Sequence, residues 1–558
     1  MSRLSLRSPG RPATEPSRQS PGRLRLAQLP RPARTALLAG GSLAAAVALF
    51  AAYLHLSRTV PANADGASIA LQAWSMLHGN LLLHGWVLSD VSFYTTELPQ
   101  YMLIEHFRGL NPDDMHIAGA LTYTLLVVLT AWVAKGRASG AEGLLRAALA
   151  AGIMVAPPQG SVYELMLEPD HVGSVVPVLL LVLLLDRAGR RWFVPLVAFL
   201  LVTWALVADQ VIMITAVLPL ILVSVIHGYR RVLAPRRAGG ALDQPAERSR
   251  LAATAWWFEA ALLGAAVVAV IAADRIVALI RANAGYHVYP VNNQLSYFDA
   301  LPHNLQETIQ GILVLFGANF AGKQAGVLAA IGLLHLLGAG LVAWAVCAGL
   351  RRFGRLAISL QLLTASVCVS VVAYLLGPNA LTAQSSREFA AVLPLGAALA
   401  GRMLAGRLRR VRLVPALAAV LAIYLGGLVF YATRPAVPAD NQALASWLAG
   451  HRLHDGVTTD YWVANSTTVD SGGKVALRQV LVVGAGLVPN PWEIDLHWYS
   501  ARTNVANFAV LTSSGPASWR QTPDGSAYLR TFGRPDRVYA LTGYTVLVWG
   551  GNVLTKVG

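Results

Sequence analysis

Charge is scarce in this chain. Only 13% of its 558 residues are Asp, Glu, Lys or Arg, against 55% hydrophobic residues, whereas a soluble globular chain carries about a quarter charged residues. Acids are scarcer still, 28 against 44 bases, which leaves a formal net charge of +16. Cysteine is almost absent. Cys347 and Cys368 both lie inside apolar segments, which excludes a disulfide framework or a Cys-based metal site and reads as two small buried thiols. Nucleotide-binding signatures are missing too: the chain has no G-x-x-x-x-G-K loop and no Rossmann glycine fingerprint.

What the chain has in abundance is apolar length. Segments of about 17 to 25 apolar residues recur, each long enough to cross about 30 Å of hydrocarbon as a helix. Spans are expected near 35–56, 116–134, 144–160, 172–185, 192–208, 211–227, 254–279, 325–348, 356–377, 388–404 and 413–432. The 192–227 stretch also reads as one bent hairpin around Asp209. The bases cluster between these segments, at Lys135/Arg137/Arg146, Arg187/Arg190/Arg191, Arg230 to Arg250, Arg351/Arg352/Arg355 and Arg402 to Arg412. Loops rich in Lys and Arg stay in the cytoplasm, so the positive charge is a topology signal and not a nucleic-acid footprint. It places the N-terminus inside, the C-terminus outside and the protein in the plasma (inner) membrane.

Three regions follow. Residues 1–34, with eight arginines and the single acid Glu15, read as a disordered basic cytoplasmic tail. Residues 35–433 form the membrane domain. Ala62-Asn63-Ala64 mimics a signal-peptidase site, but the apolar run before it is longer than a signal core of about 7–15 residues, so the first span reads as an uncleaved anchor. Residues 434–558 hold ten bases, eight acids and no span. A helix over 441–452 and strands over 456–463, 475–483, 506–512 and 537–549 predict a small extracytoplasmic α/β domain. Its Asn465-Ser466-Thr467 is a glycosylation sequon.

The acids concentrate in the first outer loop, 57–115, which holds six of them against Arg58 and Arg108. Asp65 opens an amphipathic segment with Ala67, Ala70, Leu71, Trp74 and Leu77 on one face, a helix expected to lie along the membrane surface. Asp65 there reads equally as helix cap and as catalyst. Asp90 and Glu97 follow in LSDVSFYTTELPQY, as a solvated loop with Glu97 near a helix start before Pro99, or in a sugar-binding or acid/base role with Trp86 and Tyr94 as stacking surfaces. Glu164, Glu168, Asp170 and His171 sit in VYELMLEPDHVG. Acids beside a His can bind a divalent metal, but two or three ligands in one loop are no signature, and no cofactor is expected. His171 is a proton-carrier candidate because its ordinary pKa is near neutral. Arg387, beside Glu388 in AQSSREFAAVLPLG, is a lone outward cation of the kind that binds phosphate bidentately; the pair also reads as plain surface. Asp209, Asp274 and Arg275 interrupt apolar segments, where ionisable groups are functional by default; they read equally as a structural Asp–Arg pair between helices.

An acid shortly after the first span, a helical first outer loop, many spans and an extracytoplasmic tail together resemble the GT-C glycosyltransferase superfamily, which includes protein mannosyltransferases, aminoarabinose transferases and arabinosyltransferases. The resemblance covers the architecture of about residues 1–430. Many members carry paired acids where Asp65 is followed here by Gly66. The resemblance implies a polytopic α-helical membrane protein of about eleven spans and a polyprenyl-phosphate-linked sugar as donor. It also implies an extracytoplasmic glycan, lipid or protein as acceptor and Asp65 as the general base in an inverting transfer. Asp90, Glu97, Glu168, Asp170, His171 and Arg387 are then candidate substrate contacts. The residues leave other readings open: a transporter or lipid flippase coupled through Asp209, Asp274 and Arg275, an envelope polysaccharide ligase or polymerase, or a non-catalytic scaffold.

Overall fold

A computed structural model describes residues 30–167, 171–237, 245–290, 294–322, 324–512 and 518–558. Residues 1–29 of the basic tail, and Glu168 and Asp170, lie outside the described residues. Residues from Phe50 onward form one compact unit.

Apolar runs become helices because a backbone away from water must satisfy its own N–H and C=O groups. The first of them is α1 (Arg31–Ser57), followed by α2 (Ala64–Leu77), the short strand β1 (Trp86–Leu88) and α3 (Glu97–Arg108). The chain continues through α4 (Asp113–Lys135), α5 (Gly140–Met154), α6 (Val175–Ala188), α7 (Val194–Ala208), α8 (Leu218–Arg237) and α9 (Pro245–Ala282). Strand β2 (His287–Val288) and α10 (Leu301–Leu315) come next, then α11 (Val327–Arg351), α12 (Ile358–Leu376), α13 (Val392–Arg410) and α14 (Val414–Ala432). Among the described residues, seven helices are long and apolar enough to cross a bilayer, within α1, α4, α8, α9, α11, α12 and α14. The other four expected spans are helices too. However, α5, α6 and α7 have only 15, 14 and 15 residues, about 21–23 Å of rise. The fourth, α13, has 19 residues and ends in Arg407, Arg409 and Arg410.

Polar contacts pin the helix ends in two groups. In one, Arg137 Nε donates to the Asp186 carbonyl at 2.7 Å, the Arg402 guanidinium pairs with Asp186, and Arg190 and Arg231 reach Glu259 at 2.6 and 2.9 Å. In the other, Arg58 clasps Asp113 through two nitrogens at 2.7 and 2.6 Å, and Arg108 bridges Asp113 and Asp114. This second group ties Arg58 to the end of α3 and the start of α4, around the acid-rich segment. Close backbone approach needs glycine at Gly119 of α4, where a Cβ would lie 2.0 Å from the Met166 carbonyl oxygen.

The C-terminal region is a small α/β unit built from α15 (Gln442–Gly450), β3 (Asp455–Thr458), α16 (Tyr461–Asp470), β4 (Ala476–Val483), β5 (Gly486–Pro489), β6 (Ile494–Asp495), β7 (Phe508–Thr512), α17 (Pro523–Phe532), β8 (Arg537–Leu541) and β9 (Tyr544–Val548). Six strands form a sheet in the order β5-β4-β3-β7-β9-β8, with β3 parallel to both β4 and β7. Strand alternation splits its faces: Ala509 and Leu511 of β7 join a core with Tyr528 and Phe532, whereas Phe508 and Val510 join one with Leu444 and Leu448. A second sheet, β2-β1-β6, takes one strand each from three distant parts of the chain.

Four expectations change. The strand expected over 456–463 stops at Thr458, because the Asp460 side chain accepts from the Trp462 amide and starts α16 there. The strand expected over 537–549 is a hairpin that turns at Gly543, whose φ is +83°. Helix α2 is not one-faced: Ser68, Ile69, Gln72 and Ala73 are buried alongside Ala67, Ala70 and Leu71, because α3 and α16 pack against it. Cys347 is exposed on α11 and Cys368 half-buried on α12, so neither is a fully buried thiol.

Candidate functional site

Asp65 is not the cap of α2. Asn63 is: its side chain accepts from the Gly66 amide, at 3.1 Å. Asp65 is therefore released from backbone duty in the first turn, where the helix dipole favours an anion. Its Oδ1 accepts from the Tyr461 hydroxyl at 2.5 Å, and its Oδ2 faces Arg387 Nη1 at 3.6 Å. Burial raises the Asp65 carboxyl above its ordinary value, against the opposing pull of Tyr461 and Arg387. The sheet explains how Tyr461 arrives. It follows the carboxyl end of the parallel strand β3, between β4 and β7, the edge at which open α/β sheets present functional groups. Asp460 ties that edge together by accepting from Thr512 at 2.6 Å. Tyr461 also reaches Glu493 Oε2 at 2.5 Å.

A second group stands beside the first. His171 Nδ1 lies 2.9 Å from Asp209 Oδ2, and its Nε2 lies 3.1 Å from Glu388 Oε2. Burial alone would lower this imidazole, but the two carboxylates hold it well above its ordinary value, so both ring nitrogens donate. Burial works against the charged form of Glu388 as well, yet the neighbouring imidazolium and Arg387 keep it below the ordinary carboxylate range. Asp90 is raised, by burial first and then by Glu388 and Asp209, against His171.

These groups line two cavities that share a wall. The polar one, about 380 Å³, is bounded by Asp65, Asp90, His171, Arg387, Trp462, Trp492 and Glu493, among others. The larger, about 680 Å³, runs between α9 and α12 past Val270, Ala273, Val277, Ala373 and Leu376, with Asp274, Arg281 and Gln294 on its lining. Asp90, His171, Asn379 and Glu388 belong to both. No family model and no curated protein matches this chain.

Four of the residues singled out from sequence, Asp65, Asp90, His171 and Arg387, meet in the polar cavity. Glu97 does not line it. It is the first residue of α3, buried behind His171 against Gly173, where a Cβ would touch its Oε1, and burial pushes its pKa up to about 7. Trp86 and Tyr94 are not stacking surfaces. Trp86 is 1% exposed, edge-on to Trp498, and Tyr94 leans on Tyr286 and donates to the Leu81 carbonyl. The cavity's aromatics are Trp462 and Trp492, the latter packed against Tyr289. Trp462 is 54% exposed. Asp274 and Arg275 are neighbours on α9, both exposed, so they do not form a pair between helices. The Asn465 side chain is buried and donates to the Glu493 carbonyl, so the sequon is structural. Among the described residues, no set of three His, Cys, Asp or Glu side chains is arranged to hold a metal.

Proposed function

We propose that the protein is a GT-C-type membrane glycosyltransferase that moves a sugar from a polyprenyl-phosphate donor to an extracytoplasmic acceptor with inversion. One observation carries the reading: a largely apolar cavity between α9 and α12 shares the wall of Asp90, His171, Asn379 and Glu388 with a polar cavity containing Asp65 and Arg387. That pair of compartments fits a molecule with an isoprenoid tail and a phosphosugar head. The tail takes the groove between α9 and α12. The phosphate takes the Arg387 guanidinium, and the sugar and acceptor take the rest of the polar cavity.

The chemistry follows from the residues. Asp65 removes the proton from the acceptor hydroxyl as the oxygen attacks the anomeric carbon, and the raised pKa of a buried carboxyl makes it a stronger base. The bond from the anomeric carbon to the phosphate oxygen breaks, and the oxygen leaves with its electron pair. A phosphate needs no general acid, only fixed positive charge where negative charge grows. Trp462 and Trp492 offer apolar faces to sugar rings at the mouth of the cavity. The functional test is a comparison of envelope glycans and polyprenyl-phosphate sugars with and without the gene: the sugar-loaded donor should accumulate and one glycan linkage should disappear. An unchanged profile for both refutes the reading.

Arg387→Ala should raise the apparent KM for the donor by about 10- to 100-fold, the worth of a charge-assisted hydrogen bond of about 1.5–3 kcal/mol. It should also move the acidic limb of the pH–rate profile upward. Arg387 holds the Asp65 pKa down, so without it Asp65 needs a higher pH to ionise. A profile that stays in place separates Arg387 from the base.

The proposal includes eleven spans, N-terminus inside and C-terminus outside. It is supported by α4, which has one group of polar contacts at each of its ends, and by the basic character of the group that includes Arg137. Reporter fusions after Arg250 and after Gly558 should report opposite sides. The same side for both sinks the topology.

A further inference from the structure

Two short contacts meet on one phenol. Tyr461 Oη lies 2.5 Å from Asp65 Oδ1 and 2.5 Å from Glu493 Oε2. Each short oxygen–oxygen contact holds a proton, because two lone pairs at that distance repel. The phenol supplies one of the two protons, so one of the carboxyls supplies the other. Glu493 is held there with some effort. Its backbone sits at φ +53°, in the left-handed region that a Glu seldom adopts, and its side chain is buried, 3% exposed. Such positions persist where the surroundings over-determine them, which is common at functional sites. The Asn465 side chain supports the Glu493 carbonyl from below. Glu493 also lines the polar cavity, so the chain Asp65–Tyr461–Glu493 begins at the base and ends at a second point on the same cavity wall.

We propose that Tyr461 and Glu493 are the proton exit of Asp65, carrying the acceptor's proton away from the base through the phenol to a second carboxyl at the cavity wall. This rests on Asp65 being the base. In the resting protein Glu493 is the carboxylic acid. It donates to the Tyr461 oxygen, Tyr461 donates to Asp65, and Asp65 is the anion facing Arg387. When Asp65 takes the acceptor's proton, both carboxyls are neutral and the group holds one proton too many. Glu493 then gives its proton to water in the cavity. Asp65 passes its proton to the phenol oxygen while the phenol passes its own to Glu493, which restores the resting state. One proton enters at Asp65, one leaves at Glu493, and no bond other than O–H is made or broken. The base is thereby recharged through the phenol, with no water needed at Asp65 itself, and the tail region becomes part of the catalytic cycle.

The first test needs no substrate. Infrared difference spectra of the full-length protein in detergent at neutral pH, wild type minus Glu493→Gln, should show the loss of one neutral-carboxyl C=O band. A Gln amide still donates to Tyr461 and keeps the geometry, but it leaves Asp65 as the anion. Tyr461→Phe should lose the same band, since without the bridge neither carboxyl needs the shared proton. A band of unchanged size in both variants overturns the proposal. The second test is kinetic, with the polyprenyl-phosphate sugar pool extracted from the membranes as donor. Glu493→Gln should complete a single turnover at the wild-type rate and then fall about 10²-fold in steady state, the scale of a lost proton-transfer step. Equal loss in both phases makes Glu493 a structural support, and no loss in either removes it from the cycle. Either result overturns the relay and leaves Asp65 as the base, whereas an active Asp65→Asn would remove the base itself.

Discussion

Asp65→Asn should insert and melt like the parent protein, yet transfer sugar about 10² to 10⁴ times more slowly, the usual loss when a general base is removed. The stability half of that expectation is strong because the N-terminus of α2 is capped by Asn63, not by Asp65. Asn also remains able to accept the Tyr461 hydroxyl and is isosteric with Asp, so packing around Tyr461 survives. What it lacks is a site that binds a proton at working pH. Loss of charge opposite Arg387 weakens one ion pair of 3.6 Å, worth well under the total stability of the fold. The measurements are thermal unfolding in detergent and the pool of unused donor, which should grow. Near-normal transfer passes the base role to Asp90, the next carboxylate on the same cavity wall.

The largest effect on stability should come from His171→Asn. The imidazolium is the cation between Asp209, 1% exposed, and Glu388, 25% exposed. Removing one member of a buried ion group leaves the others uncompensated and costs about 3–5 kcal/mol. Asn is the right replacement because His171 has φ +60°, and Asn tolerates that left-handed backbone well. The loss then reports charge and not strain. A triple variant that adds Asp209→Asn and Glu388→Gln should recover much of the stability. The sign of the pH dependence follows from the raised His171 pKa. The stability it contributes is complete below its unfolded value of about 6.5 and fades as pH climbs through the higher folded value. Wild type should lose stability over that window more steeply than the Asn variant. Parallel curves would assign the cluster's stability elsewhere.

Polar residues that interrupt apolar sequence were the legible part of the site. Asp65, Asp90, His171 and Arg387 stand out because ionisable groups at span ends are expensive and carry a purpose, and all four line one cavity. Asp209 stood out for the same reason, and the fold makes it the partner of His171. Tyr461 and Glu493 gave no such signal. Tyr461 follows a β-rich run that reads as continuous strand, and only the Asp460 cap turns it into a helix start. Its contact with Asp65 spans 396 positions, a pairing that no local pattern encodes. The aromatic guess failed for a related reason. Trp86 and Trp492 look alike as letters, and only the pairing of β1 with β6 buries Trp86 at the centre of a sheet. Apolar periodicity located the helices but not their neighbours, so it could not say that α16 would cover the second face of α2.

The three-stranded sheet sets a clock on the birth of the protein. Its central strand, β1, pairs through Val87 with His287 on one side and with Ile494 on the other. A ribosome adding about 5–20 residues per second needs on the order of 20 to 80 s to get from the middle strand to its last partner. Throughout that interval β1 has an open edge, and for most of it Asp65 lacks the phenol that will bridge it. A nascent chain halted before residue 461 thus carries the membrane helices and the sugar-side carboxylate but neither Tyr461, Glu493 nor β6. Maturation of the carboxylate is tied to synthesis of the tail region, and a product truncated before it is a ready client for membrane proteases through the same unpaired edge.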